Sequence, residues 1–150
     1  MNTLFLYFSH SGSGDAVAAY LEEKGVTIRK VEPVRRLPKS FFWSVMTGGF
    51  LATIGHRSKL KDFDKDFGSF DRIVIGSPVW NGRISCPINE LLASTSFGEK
   101  SLFFLLYAGG GEAPKAVQRI SEEYPNAGVL VLKEPKKYSA ELTKLERLFD

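Results

Sequence analysis

A single cysteine, Cys86, stands among the 150 residues, so no disulfide can form within the chain and no thiolate cluster can hold a structural zinc. Histidine is almost as scarce: His10 and His56 stand alone, without metal-ligand spacing. The apolar stretch from Met1 to Phe8 stops at Ser9, far short of the roughly 18 residues that cross a bilayer, and no basic leader or small-residue cleavage site follows it. Charge of one sign is lacking as well. Twenty Lys+Arg against 17 Asp+Glu leave a formal +3, an excess too weak and too dispersed to imply a nucleic-acid partner. No repeat, low-complexity tract or linker divides the chain. The expectation is a cytoplasmic protein in a reducing compartment, with no membrane or nucleic-acid partner, in one domain over residues 1–150.

What is present is enough apolar side chain for one core, 43% of the residues with 12 Phe among them. Leu4 to Phe8 is a continuous apolar run, as expected for a strand buried on both faces, and Asp15 to Lys24 has helical spacing closed by Gly25. Val26 to Glu32 alternates as a short strand near an edge until Pro33 ends it. Arg72 to Gly76, Ser101 to Tyr107 and Gly128 to Leu132 predict three more strands. Helices are predicted over Cys86–Ala93, Ala113–Glu123 and Ala140–Phe149, the last with Leu142, Leu145, Leu148 and Phe149 facing inward. Phe41 to Phe50 is aromatic and broken by Gly48-Gly49, and the charges from His56 to Lys65 read as a solvated face. Strands alternating with helices predict a three-layer α/β/α sandwich on a five-stranded parallel sheet, order 2-1-3-4-5. Ligands of such sheets bind beyond the carboxyl ends of the strands, which selects the loops after Phe8, Gly76 and Tyr107.

The first loop, Ser9-His10-Ser11-Gly12-Ser13-Gly14, puts hydroxyls and glycines between a strand and a helix start, where free N–H groups and the positive end of the helix dipole favour an anion. Its lack of lysine and arginine argues against a Walker-type nucleotide loop. The second, Ser77-Pro78-Val79-Trp80-Asn81-Gly82-Arg83, offers an indole for stacking a planar ring and an Asn-Gly pair suited to positive φ. The third, Ala108-Gly109-Gly110-Gly111-Glu112, removes side chains so that backbone can meet a ligand edge. None of the three holds a carboxylate pair or a Cys/His nucleophile arrangement. Cys86, at a helix start, reads as a packing residue.

Through Ser9-His10-Ser11-Gly12-Ser13-Gly14, Gly76-Ser77-Pro78-Val79-Trp80-Asn81-Gly82 and the glycine-rich third loop, the chain resembles the flavodoxin-like FMN proteins over nearly its full length. The resemblance implies FMN as cofactor. It implies phosphate contacts from Ser9, Ser11, Gly12, Ser13 and Gly14, with His10 in the same loop. Ring contacts fall to Pro78, Val79, Trp80, Asn81, Gly82, Gly109 and Gly110, with Ala108 beside them. It also implies electron transfer with a redox partner protein, or with NAD(P)H and a small acceptor, tuned by a turn at Asn81-Gly82 whose glycine can flip. Two features depart from the family: Gly14 stands where a threonine is often found, and the charge balance is basic where many carriers are acidic.

Two rivals share parts of this pattern. Gly12-x-Gly14-x-x-Val17, with Glu32 at the end of the second strand, approximates the Rossmann dinucleotide fingerprint, although Val17 stands where glycine or alanine is required. A flavodoxin-fold scaffold that has lost FMN is the other.

Overall fold

The computed structural model describes residues 1–34 and 57–149. The aromatic segment 41–50 and His56 therefore lie outside the described residues. In chain order the elements are β1 (Thr3–Tyr7), α1 (Ser13–Glu23), β2 (Thr27–Lys30), β3 (Arg72–Trp80), β4 (Arg83–Ile84), α2 (Cys86–Ser94), β5 (Ser101–Ala108), α3 (Pro114–Glu123), β6 (Gly128–Lys133) and a 3-10 helix (Ser139–Phe149).

Five of the strands are parallel, in the order β2-β1-β3-β5-β6, and β4 pairs antiparallel with the end of β3. In chain order of the parallel strands this is 2-1-3-4-5, the expected topology. It differs from the 3-2-1-4-5-6 order of the dinucleotide-binding sheet. Alternation along β1 explains the layers. Leu4, Leu6 and Phe8 join Ile73, Ile75, Phe104 and Leu106 under α2 and α3, where Ile88, Leu91 and Ile120 are buried. Phe5 and Tyr7 join Val74, Leu105, Leu130 and Leu132 under α1 and the 3-10 helix, against Val17, Leu21, Leu145 and Leu148.

Three details depart from the sequence reading. Strand β3 does not stop at Gly76 but runs to Trp80, so Ser77, Pro78 and Val79 are strand residues. Gly76 is no terminator: a Cβ there would lie 2.7 Å from the Phe5 ring, so it makes room for a core aromatic. Pro78 is tolerated because the β1 ladder has already ended at Gly76, leaving β5 alone as its ladder neighbour. The C-terminal helix has 3-10 rather than α geometry. With three residues per turn, Leu142, Leu145 and Leu148 fall on one line, and Phe149, expected inside, is turned out and exposed.

In the charged segment, Arg29 bridges Asp64 at 3.2 Å and donates to the Asp66 carbonyl at 2.6 Å, while Lys61 lies 3.9 Å from Glu32. The run thus lies along β2 and the residues after it. Val34 N–H to the Lys59 carbonyl and Lys61 N–H to the Glu32 carbonyl, both 2.8 Å, fasten it there.

Candidate functional site

Strands β1, β3, β5 and β6 end on the same edge of the sheet, so their loops meet over it. The first loop enters α1 through Gly12, whose φ of +99° is a left-handed conformation open to glycine at little cost. Its carbonyl accepts the Ala16 N–H at 3.0 Å, and no side chain caps the helix. The Gly14 N–H donates to Ser9 Oγ at 3.1 Å, so one of the amides assigned to an anion is already engaged. The N–H groups of Ser11, Gly12, Ser13 and Asp15 have no acceptor among the described residues, and neither do the Ser11 and Ser13 hydroxyls. Six donors of this kind around one helix start form a cradle for an anion with several oxygens.

The Asp15 carboxylate, which would oppose an anion there, is held aside. Its Oδ1 accepts from Tyr7 Oη at 2.8 Å and from Lys30 Nζ at 2.9 Å. Burial and this contact push the Tyr7 phenol upward, so it stays a donor. Tyr107, fully buried, has its phenol raised by burial and donates to the Phe8 carbonyl at the exit of β1.

Gly14 is fixed by the same packing. A Cβ on it would stand 2.6 Å from Tyr107 Oη, 2.8 Å from Ser9 Cβ and 2.9 Å from Tyr7 Cδ2. A threonine side chain at this position has no room.

On the second side, Trp80-Asn81-Gly82-Arg83 is a two-residue hairpin, with φ of +50° at Asn81 and +76° at Gly82 and with Trp80 paired to Arg83. The Gly82 carbonyl accepts the Ala116 N–H in the first turn of α3 at 3.1 Å, and the Asn81 carbonyl accepts from Arg83 at 3.3 Å. Flipping this turn therefore breaks existing hydrogen bonds, each worth about 1 kcal/mol net. Beneath it, the Ser77 and Ser85 hydroxyls meet at 2.9 Å with both residues fully buried, joining β3 to the start of α2. Trp80 is half-buried, its ring edge-on to Phe8 at 5.8 Å and to His10 at 6.2 Å. Partial burial lowers the His10 pKa, favouring neutral imidazole. Pro78 is buried, Val79 is half-buried and Asn81 is exposed.

Ala108 is a buried strand residue, and the third loop begins after it. Gly109 and Gly110 are exposed. A side chain at Gly110 would meet nothing within 4 Å, and at Gly109 only Glu134 Oε1 at 3.7 Å, so nothing in the described chain demands glycine at either.

A fourth loop, after β6, escaped the sequence reading. Lys136 reaches across from it, its Nζ donating to the Ser11 carbonyl at 3.2 Å and its stem lying over Gly12. The first loop itself has no cation in sequence, and its cation arrives from 125 residues away. No local spacing could have found it. Cys86 is buried in the first turn of α2, where burial pushes the thiol up to about 11, as befits a packing residue. No group of three metal-ligating side chains is present among the described residues, and no described helix is long and apolar enough to cross a membrane.

Solved structures with the same arrangement decide the fold. A flavoprotein of Lactobacillus acidophilus in complex with FMN superposes with a TM-score of 0.72 at 21% identity, covering 93% of this chain and 97% of that one. The chain has the flavodoxin-like fold. A candidate flavoprotein of Bacteroides eggerthii reaches a TM-score of 0.74 at 17% identity over 99% and 98% of the two chains. A flavodoxin from the domain Archaea reaches 0.52 at 18% over 99% and 93%. No protein-family model matches the chain, and no curated protein matches it by sequence. In the flavodoxin-like fold the edge where the four loops meet is the carboxyl edge of the sheet, the ligand side of open α/β sheets.

Proposed function

We propose that this chain binds FMN at the meeting of these loops and serves as an electron-transfer protein. The observation that carries the reading is the cradle of unpartnered donors at the start of α1, set across the sheet edge from the half-buried Trp80. Ser11, Gly12, Ser13 and Asp15 supply N–H groups suited to a terminal phosphate, and the indole supplies a face for the ring. When bound, FMN supplies the one- and two-electron chemistry. The protein's part is to orient it, keep water from one face and favour one redox state over another. The hydrogen-bonded Asn81-Gly82 turn sets that preference with its backbone groups. The Asp15 carboxylate is occupied by Tyr7 and Lys30, which takes that acid out of proton transfer at the start of α1.

Titration of the purified protein with FMN tests this directly. Quenched flavin fluorescence and a yellow protein are expected. A colourless protein that leaves added FMN fluorescent would instead be the scaffold that has lost its cofactor.

A second reading, a reductase fed by NAD(P)H with a small acceptor, is favoured by a recess of about 590 Å³ beside the hairpin. Arg57, Arg83, Lys115 and Arg119 line it, with Glu122 and Glu123. Arg57 and Arg119 are already paired with Glu90 and Glu123, at 3.5 and 2.9 Å, which leaves Arg83 and Lys115 for the phosphates of a reductant. NADPH oxidation by the FMN-loaded protein alone separates the readings, because a carrier turns over negligibly without a separate reductase.

A further inference from the structure

The turn after β6 is rigidly placed. The Glu134 N–H donates to the Ala108 carbonyl at 3.3 Å, and the Glu134 carbonyl accepts from Lys137 and Tyr138 at 2.8 and 2.9 Å. Pro135 is buried. Three lysines surround this turn and point different ways. Lys133 and Lys137 each place their ammonium over the Tyr138 ring, 5.0 and 5.3 Å from its centre. Lys136 alone crosses to the first loop. Its Cδ lies 2.9 Å from where a Cβ on Gly12 would stand, so glycine at position 12 admits the lysine stem as well as the left-handed backbone. Its ammonium, with three donors, makes one hydrogen bond, to the Ser11 carbonyl, and has no carboxylate partner among the described residues.

We infer that Lys136 is a specificity-determining residue, reading the phosphate of the cofactor. The inference rests on the FMN reading. The free amides of Ser11, Gly12, Ser13 and Asp15 are dipoles, whereas a phosphate carries nearly two full charges at neutral pH. Lys136 supplies the full positive charge that the loop lacks, and Asp15, the nearest carboxylate in the loop, is already neutralised by Lys30. The ammonium is exposed, so its attraction is screened by salt. A flavin without phosphate gains nothing from it. The flavodoxin-like frame therefore receives its phosphate charge from the far end of the chain, through a side chain laid over a glycine.

The test compares FMN with riboflavin on intact protein, titrated at low and at high salt, for the wild type, Lys136→Met and Lys136→Arg. Met keeps the stem over Gly12 and removes the charge. The expected result is an FMN Kd raised about tenfold in Lys136→Met, an unchanged riboflavin Kd, and a weaker salt dependence for FMN. Lys136→Arg should restore most of the preference. Equal FMN affinity in wild type and Lys136→Met, or a parallel loss for riboflavin, would overturn the inference while leaving the flavin site standing. Failure of the wild type to bind FMN at all would instead sink the flavin reading, and this inference with it.

Discussion

The first loop and the hairpin stand at the same edge of the sheet, yet different forces hold them. At the first loop, van der Waals crowding dominates: Gly14 is wedged among Tyr107, Ser9 and Tyr7, and a single added methyl has nowhere to go. At the hairpin, hydrogen bonds dominate, since Gly82 is tied to Ala116 and Arg83 reaches the Asn81 carbonyl, while Trp80 remains half-exposed. Under the FMN reading proposed above, the contrast suits the two ends of the cofactor: an anion of fixed shape is best met by backbone that cannot move, and a planar ring whose electron count changes by backbone held with contacts of moderate strength.

Breaking the crowded end should have the largest effect. Gly14→Thr should cost about 3 kcal/mol of stability from overpacking, read by thermal or urea unfolding, and should abolish FMN binding in whatever folds. Adding Tyr107→Phe should recover only part of the loss, because the Ser9 and Tyr7 contacts remain. Full recovery would show that the tyrosine hydroxyl alone sets the limit. At the open end, Trp80→Ala should cost about 2 kcal/mol, given its partial burial. It should weaken FMN and riboflavin alike and relieve flavin fluorescence quenching, the opposite selectivity to that expected of Lys136→Met. Unchanged quenching would move the ring away from the indole.

Smaller changes sharpen the comparison. Gly82→Ala, at a φ of +76°, should cost about 1 kcal/mol and shift the flavin midpoint potential, measured by dye equilibration, with little change in affinity for the oxidised cofactor. The smallest effect is one of pH. The folded chain favours neutral His10, whereas an unfolded histidine takes up its proton near about pH 6.5. The contribution is therefore fully present above that pH and is lost as pH falls below it. His10→Gln should flatten this part of the stability profile, and an unaltered profile would mean that His10 is as solvated folded as unfolded.

How far the fold was legible depends on which signals were local. Apolar runs such as Leu4–Phe8 and Ile73–Ile75 announce strands buried on both faces, and the Asn81-Gly82 pair announces its turn. Gly76 misled because a glycine that accommodates Phe5 across the sheet has the same letter as one that ends a strand. In the C-terminal helix the spacing at 142, 145 and 148 is three throughout, the 3-10 period, and reading it as 3.6 put Phe149 on the wrong side. At the site, residues next to their strand ends could be chosen from sequence. The engaged Gly14 amide and the arrival of Lys136 could not, because both depend on contacts between distant segments.

The bond between Gly82 and Ala116 also turns the hairpin into something observable from a neighbouring helix. The donor sits in the first turn of α3, so any rearrangement of the turn must register in the Ala116 amide, in its chemical shift and its rate of deuterium uptake. The chain thus carries its own isotope-readable gauge of turn motion, on a helix outside the hairpin itself.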